Sequence, residues 1–330
     1  MGLLRYARNA NYKRFYNDLK ELSPKTGKPA WLMFADAGLC FALYRSGLQD
    51  YLNFKFYNKS FAERKTYVTT GDEYHAYKIL ANPANDVFAD KTNLFRRLGH
   101  LAKRDFCDPR EGYEGFKAFI EKHESFVRKP IIGLGGSRVE RVETAEIGDP
   151  HAYYEDLLEN RDFVEELIVQ DPTWASLSPG SVNTLRIMTF CIDGNARILF
   201  ACARVGSGSS IVDNFHQGGM GLLVDMERGC LSGNGFTKKL EESEVSVTGV
   251  RFDGFPIPYW DEVKAMIIEG AIATPEVYFI GWDIAIGVDG PLVVEANCGS
   301  GWDITQVVAQ HGQKDLLQGM LDEVEAHGKA

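Results

Sequence analysis

From residue 181 onward, apolar runs alternate with tight turns, a rhythm that restricts this part of the chain to an antiparallel sheet. Ser181–Ile192 and Ala196–Val205 flank Asp193-Gly194-Asn195, Gly221–Asp225 and Cys230–Leu231 flank Glu227-Arg228-Gly229, and Val277–Ile286 and Leu292–Asn297 flank a turn at Asp289-Gly290. Short gaps of Gly, Asp and Asn between apolar runs are hairpin signals, because these residues tolerate the reversed backbone a tight turn needs. Between the hairpins Trp260–Thr274 reads as an amphipathic helix, and a last helix is expected over Thr305–His327.

Upstream the pattern is mixed. Helices are expected over Lys91–Lys103, Gly115–Glu124 and Asp149–Asn160, the last with Asp149 as its cap. Strands are expected over Phe126–Ile132, Arg138–Thr144 and Phe163–Gln170. Residues 1–85 read as mostly helical and aromatic, with a short strand at Thr66–Thr70 and a helix over Asp72–Ala81 that stops before Pro83. No glycine-rich dinucleotide fingerprint occurs there. The chain thus divides into a helical region (1–85), a mixed segment (86–165) and a hairpin-rich segment (166–330), an α+β protein.

Charge limits what such a protein can bind. Thirty-six Lys and Arg against 46 Asp and Glu leave a net −10, so there is no general attraction to nucleic acid or an anionic membrane. Any anion must be held by a local cluster. The six cysteines form no C-x-x-C pair, which fits free thiols in a reducing cytosol. With no apolar h-region at the start and no apolar run of ~20 residues, no membrane span is expected, and a cytoplasmic location is.

Several residue groups carry chemistry. Asp283 interrupts the apolar run of one strand, and Glu295 and Asn297 end the next. Residues two apart share a strand face, so Glu295 and Asn297 point the same way. Asp283 joins them only across an odd loop. A three-residue loop, Val288–Gly290, pairs 283 with 295, whereas a two-residue turn sends Asp283 to the opposite face. Three hard oxygen ligands would suit magnesium bound with nucleotide phosphates. By the same parity, a three-residue loop Asp193–Asn195 puts Arg186 and Arg204 on one face, as if to hold an anion. Lys129 runs from a strand into Gly133-Leu134-Gly135-Gly136-Ser137, whose backbone N–H groups can reach phosphate. The run Phe163–Gln170 can edge a flat, apolar base. Taken singly, each group has a plainer reading: solvated acids, an ordinary turn, exposed arginines, a core strand.

Their order separates them from those readings. Ala89-Asp90-Lys91, Val127–Ser137, Val164–Gln170, Ser181–Arg186, Val212-Asp213-Asn214, Gly281-Trp282-Asp283, Val294–Asn297 and Gly301-Trp302-Asp303 together resemble the ATP-grasp superfamily. The closer likeness is to its sugar-transfer-associated family, related to alpha-L-glutamate ligases. It covers about residues 86–310, with weaker agreement over 50–70. The N-terminal region departs from the α/β domain that often precedes the ATP-grasp lobes.

The resemblance implies two α+β lobes clasping ATP. Lys91 and Lys129 would hold phosphates, with Gly135, Gly136 and Ser137 closing over them. Glu165, Glu166, Leu167 and Ile168 would face adenine, and Gln170 or Asp171 the ribose. Asp283, Glu295 and Asn297 would hold one or two Mg2+ ions. Arg186 would stabilise developing charge, with Asn183, Arg204, Asp213 and Asn214 toward the substrates. The implied chemistry is ADP-forming carbon–nitrogen ligation, in which a carboxylate is phosphorylated and an amine attacks the acyl phosphate. The implied partners are a small-molecule carboxylate and an amine, with no nucleic acid; a homodimer stays open. Two alternatives stand beside this: a kinase for a hydroxyl, acid or phosphonate, and a silent nucleotide-binding module, against which the full set of lysines, arginine and metal ligands argues.

Overall fold

The computed structural model describes residues 3–80, 87–133, 138–206, 218–238 and 241–328. The chain forms two compact units, residues 1–83 with 301–330, and residues 84–300.

The first unit is helical: α1 (Leu3–Asn9), α2 (Tyr12–Thr26), α3 (Ala30–Tyr44), α4 (Leu48–Asn53), α5 (Phe61–Lys65) and α6 (Thr70–Leu80). Asn11 caps α2 by accepting from the Arg14 N–H, and Ser60 and Glu63 form a capping box on α5. Rings of Phe15, Tyr51, Phe54, Phe56 and Tyr67 fill the interior. The strand expected at Thr66–Thr70 does not form. The amide of Gln306 takes the place of a neighbouring strand there, accepting from the Val68 N–H at 2.8 Å and donating to its carbonyl at 2.9 Å.

The second unit contains two antiparallel sheets. The smaller consists of β1 (Phe106–Cys107), β2 (Ser125–Pro130), β3 (Glu140–Glu143) and β4 (Asp162–Glu166), in the order β1-β4-β2-β3. Helices α8 (Tyr113–Lys122) and α9 (Pro150–Asn160) close its core through Phe116, Phe119 and Leu157 against Phe126 and Val164. Helix α7 (Thr92–Ala102) precedes β1, and the short α10 (Pro172–Ala175) follows β4. The strand expected as far as Gln170 ends at Glu166, and Gln170 instead makes an isolated bridge to Gly287.

The larger sheet contains β5 (Thr184–Ile192), β6 (Asn195–Val205), β7 (Met220–Asp225), β8 (Cys230–Thr237), β9 (Glu242–Ser243), β10 (Phe279–Gly287) and β11 (Gly290–Cys298), in the order β11-β10-β5-β6-β7-β8-β9. Helix α11 (Trp260–Ile272) belongs to the same unit. With α7 it packs on one face of this sheet, where Leu98, Val263 and Ile267 join Ile187, Trp282, Ile284 and Val293 in a common core. The chain then returns to the first unit as α12 (Asp303–Ala309) and α13 (Lys314–His327). These were expected as one helix; Gln310 breaks it by entering the left-handed region at φ 47°.

Both site-bearing hairpins differ from expectation at the turn and recover further along. The β5–β6 loop has two residues, Asp193-Gly194, with φ 51° and 74°, and pairs Ile192 with Asn195. The β10–β11 loop is also two residues, Val288-Asp289, because Gly287 pairs with Gly290. Even loops alone would put the expected partners on opposite faces. Each outgoing strand then inserts one extra residue. Met188 pairs with Phe200 but Thr189 with Ile198, leaving Leu199 over; Ile284 pairs with Val293 but Asp283 with Glu295, leaving Val294 over. A bulge changes strand parity by one and cancels the even loop.

The expected α+β class with a mostly helical N-terminal region holds. No helix among the described residues is long and apolar enough to cross a membrane. Because Gly194 sits at φ 74°, a side chain there is strained. Gly194→Ala is expected to lower unfolding free energy by about 1–2 kcal/mol, read from chemical denaturation midpoints at unchanged slope.

Candidate active site

The bulges bring charged side chains into one row. Glu295 on β11 lies directly across from Asp283 on β10, which lies directly across from Arg186 on β5. Directly paired residues share a sheet face, so all three project to the side away from α7 and α11. One step along, Thr184 pairs with Arg204, and Asn297 pairs with Gly281.

Asp283 is the buried centre of this row, 3% exposed. Arg186 grips it with two bonds, Nε to Oδ1 at 2.5 Å and Nη2 to Oδ2 at 3.0 Å. Arg204 adds Nη2 to Oδ2 at 3.0 Å and donates to the Thr184 hydroxyl at 2.9 Å. Burial works to raise the Asp283 pKa, but the two guanidiniums outweigh it and hold the carboxyl below its ordinary range. Arg186 Nη1 also donates to Ser300 Oγ at 2.8 Å. Glycine at 281 makes that contact fit, since a Cβ there would stand 2.3 Å from the Ser300 Cβ.

A second buried group lies on the small sheet. Lys129, at the end of β2, reaches across β4 to Glu165 Oε1 at 2.8 Å, over the face of Phe163. Glu165 Oε2 accepts from Arg104 at 2.9 Å. Burial would raise the Glu165 pKa, yet Arg104 and Lys129 together lower it. Burial lowers that of Lys129, and Glu165 only partly offsets this because Arg104 opposes it. Arg104 also donates to the carbonyls of Val293 at 2.7 Å and Val294 at 3.1 Å. It therefore clasps the bulge that turns Glu295 toward Asp283 and ties it to the small sheet. The last cation, Lys91 just before α7, stands 3.3 Å from Glu295 Oε1.

The structure thus brings Lys129 and Glu165 of the small sheet, Arg186, Arg204, Asp283, Glu295 and Asn297 of the large sheet, and Lys91 before α7 into one unit, linked through Arg104 and the Lys91–Glu295 pair. Other expected site residues lie elsewhere in it. Asn183 is fully buried, with its amide donating to the Trp174 carbonyl and accepting from the Gly206 N–H, so it braces the loop before β5. Gln170 spends both amide atoms on Ser181 and Asn183 backbone, at 2.7 Å each. Asp171 caps α10. Glu166 accepts from the Asp105 N–H at 3.0 Å. Leu167 and Ile168 follow β4 half-buried and outside the ladder. Gly135, Gly136, Ser137, Asp213 and Asn214 lie outside the described residues. Arg104, Thr184 and Ser300 were not anticipated. Arg104 lies between a helix and a two-residue strand, where no periodicity marks it.

Asp283, Glu295 and Asn297 offer a hard divalent cation only oxygen donors. Asn297 Nδ2 is buried with no hydrogen-bond partner among the described residues, so this amide is not held in place by its nitrogen side. Glu295 is half-exposed on the same face. A carboxylate offers about four acceptor sites, and the three bonds on Asp283 leave one on Oδ1. The three residues fit an oxygen-coordinated ion.

A model of the family described as sugar-transfer associated ATP-grasp matches residues 156–322, half of the chain. No protein of curated function matches the sequence. Among solved structures, the chain is similar to the ATP-grasp ligase PsnB complexed with a minimal precursor, at 16% identity and TM-score 0.44 over 74% of this chain and 63% of that one. It is similar to D-alanine–D-alanine ligase from Bacillus anthracis at 13% and 0.41, over 74% and 69%. It is similar to the D-cycloserine synthetase DcsG at 12% and 0.41, over 84% and 82%. The chain spans less than two thirds of the PsnB length.

Removing Arg104 leaves buried Glu165 with Lys129 alone and takes the donor from the Val293 and Val294 carbonyls. Arg104→Met is therefore expected to cost about 3–5 kcal/mol, measured by denaturant titration; a loss below about 1 kcal/mol would show that Arg104 is not the tie described. Asp283 and Glu165 both have lowered pKa values. Their contribution should be full above the ordinary carboxyl range of about 4 and fall away as pH drops through the lowered values. Stability measured from pH 7 to 5 should show no loss from these groups, and the loss should begin below about pH 4.

Proposed function

The chain belongs to the sugar-transfer associated ATP-grasp family, and from that membership we propose that it is an ATP- and magnesium-dependent carboxylate–amine ligase acting through an acyl phosphate. One observation carries the reading. Among the described residues, Lys91, Lys129, Arg104 and Arg186 meet the carboxylates Glu165, Asp283 and Glu295, so four cations less three anions leaves a local +1 in a chain of net −10. A polyphosphate is the ligand that such an excess, beside hard oxygen donors, would neutralise.

In this reading residues 86–165 carry the lysines and residues 166–330 the metal ligands of the two lobes, with residues 1–85 outside them. Lys91 and Lys129 bind the ATP phosphates together with Gly135, Gly136 and Ser137, residues 165–168 line the adenine, and Gln170 or Asp171 meets the ribose. Asp283, Glu295 and Asn297 would hold one or two magnesium ions, which when bound neutralise phosphate oxygens and favour attack at phosphorus.

A substrate carboxylate oxygen attacks the γ-phosphorus, the bond to the β-phosphate oxygen breaks, and ADP leaves. An amine then attacks the acyl carbon, loses a proton, and expels inorganic phosphate. Arg186 is already held rigidly by Asp283 and Ser300, so it meets developing charge without reorganising. Arg204, Asp213 and Asn214 contact the carboxylate or the amine. The substrates are an amino acid, a peptide or a sugar acid with an amine acceptor. The reaction is placed in the cytoplasm, where ATP is supplied.

The test is an ADP-release screen of the purified chain over amino acids and sugar acids, with and without amines. With an 18O-labelled carboxylate, one 18O should appear in inorganic phosphate, and only when an amine is present. A stable phosphoester with no phosphate released would overturn the ligase reading in favour of a kinase. Glu295→Gln is expected to abolish turnover. Lys129→Ala should weaken binding of a non-hydrolysable ATP analogue in calorimetry. Arg186→Ala should bind it nearly normally yet lose roughly a hundredfold in single-turnover rate.

A further inference from the structure

Helix α3 has the wrong composition for a surface helix. Of its 15 residues, Ala30-Trp-Leu-Met-Phe-Ala-Asp-Ala-Gly-Leu-Cys-Phe-Ala-Leu-Tyr44, only Asp36 carries a charge at neutral pH, and that carboxylate is bound by Arg64 and by the Tyr51 hydroxyl. Met33, Ala37, Cys40 and Tyr44 form the buried stripe. The rest of the circumference is equally apolar and faces outward: Trp31 is 65% exposed, Leu32 47%, Leu39 43% and Leu43 56%. At 100° per residue these positions, with Phe34, Ala35, Gly38 and Ala42, which are also exposed, merge into one arc of about half the helix. A helix apolar on all sides is covered on all sides, and a continuous exposed apolar face marks an interaction surface.

The surrounding charge identifies what covers it. Residues 1–30 contain seven basic and two acidic residues, a net +5 within a chain of −10. On α2, which packs against α3, Lys13, Arg14, Lys20 and Lys25 are exposed, and Arg45 is exposed at the end of α3 itself. Lys20 lies over the Tyr16 ring, and that ring touches Phe34 of α3, so the basic rim borders the apolar face directly. A second copy seated on this face would bring two basic rims together, which costs energy. An apolar face with a basic border matches a bilayer surface of anionic lipids.

We propose that α3 docks the protein on an anionic membrane surface, with Trp31, Leu32, Leu39 and Leu43 in the interfacial layer and the basic residues of α2 and Arg45 at the headgroups. This reading stands independently of the ligase chemistry, since none of these residues belongs to the active-site cluster.

Trp31 reports on the event. The other four tryptophans are 8% exposed or less, so a change in emission on adding vesicles arises at Trp31. With the full chain and phosphatidylglycerol–phosphatidylcholine vesicles at low salt, co-sedimentation and a blue shift of emission are expected, and Trp31→Phe should remove the shift. Leu39→Glu with Leu43→Glu should reduce binding at least tenfold at an unchanged melting temperature, since both side chains are exposed. Each of Lys13→Gln and Lys20→Gln should weaken binding about fivefold. Three outcomes would overturn the proposal. These are no binding to anionic vesicles, equal binding to pure phosphatidylcholine, and self-association that the glutamate variant abolishes in a chain that binds no vesicles, which would make a second copy the occupant.

Discussion

Strand parity is the constraint on which the site depends. Side chains alternate along a strand, so Glu295 reaches either the row of Asp283 or the apolar core, with no intermediate position. The extra residue at Val294 decides which. Without it Glu295 would fall on the face occupied by Val293, Ile284 and Trp282, beneath α7 and α11. A bulge is a weak point in a ladder because it leaves backbone groups unpaired. Here Arg104 covers that weakness by donating to the carbonyls of Val293 and Val294. The same guanidinium binds Glu165, so the position of Lys129 and the direction of Glu295 share one support.

That support is costly. Lys129, Glu165 and Asp283 are each under a tenth exposed, and desolvation of such groups usually offsets most of what their pairing returns. A purely stabilising core would use apolar side chains at these positions. Retaining charge there makes physical sense if the charges are needed in fixed places. Two arginines on Asp283, one also bonded to Ser300 and the other to Thr184, leave their guanidiniums little freedom. Groups fixed before a reaction need no reorganisation during it, and a low-dielectric setting strengthens their effect on developing charge.

Much of this was legible in the sequence, and what was missed has identifiable causes. Apolar runs broken by Asp-Gly turns disclosed the hairpins, because turn chemistry and alternation are local properties. The expectation that Asp283 and Glu295 share a face was met by a different route, an even loop and a bulge in place of an odd loop. No local residue pattern distinguishes the two, since a bulge at Val294 is stabilised by Arg104, 190 positions away in the chain. The strand expected at Thr66–Thr70 failed for a related reason: the side chain of Gln306, 238 positions distant, satisfies the backbone that a sheet would have paired. Asn183 and Gln170 were expected toward the substrates and the ribose from the resemblance. Their amides serve backbone groups of the loop that leads into β5, a role decided by burial and not by residue type.

The net charge of −10 misleads in the same way, because it averages over distances much longer than electrostatic interactions reach. At physiological salt the screening length is about 8 Å, so each region responds to its own charges. The cluster around Asp283 and Glu295 is locally positive, and the first thirty residues carry +5, which leaves −15 on the remainder of the chain. The remaining residues carry no such net basic excess as a whole. The acidic excess would not oppose docking through α3. It gives the bilayer no general attraction for the rest of the chain, so the small basic border at α2 and α3 favours docking through that face.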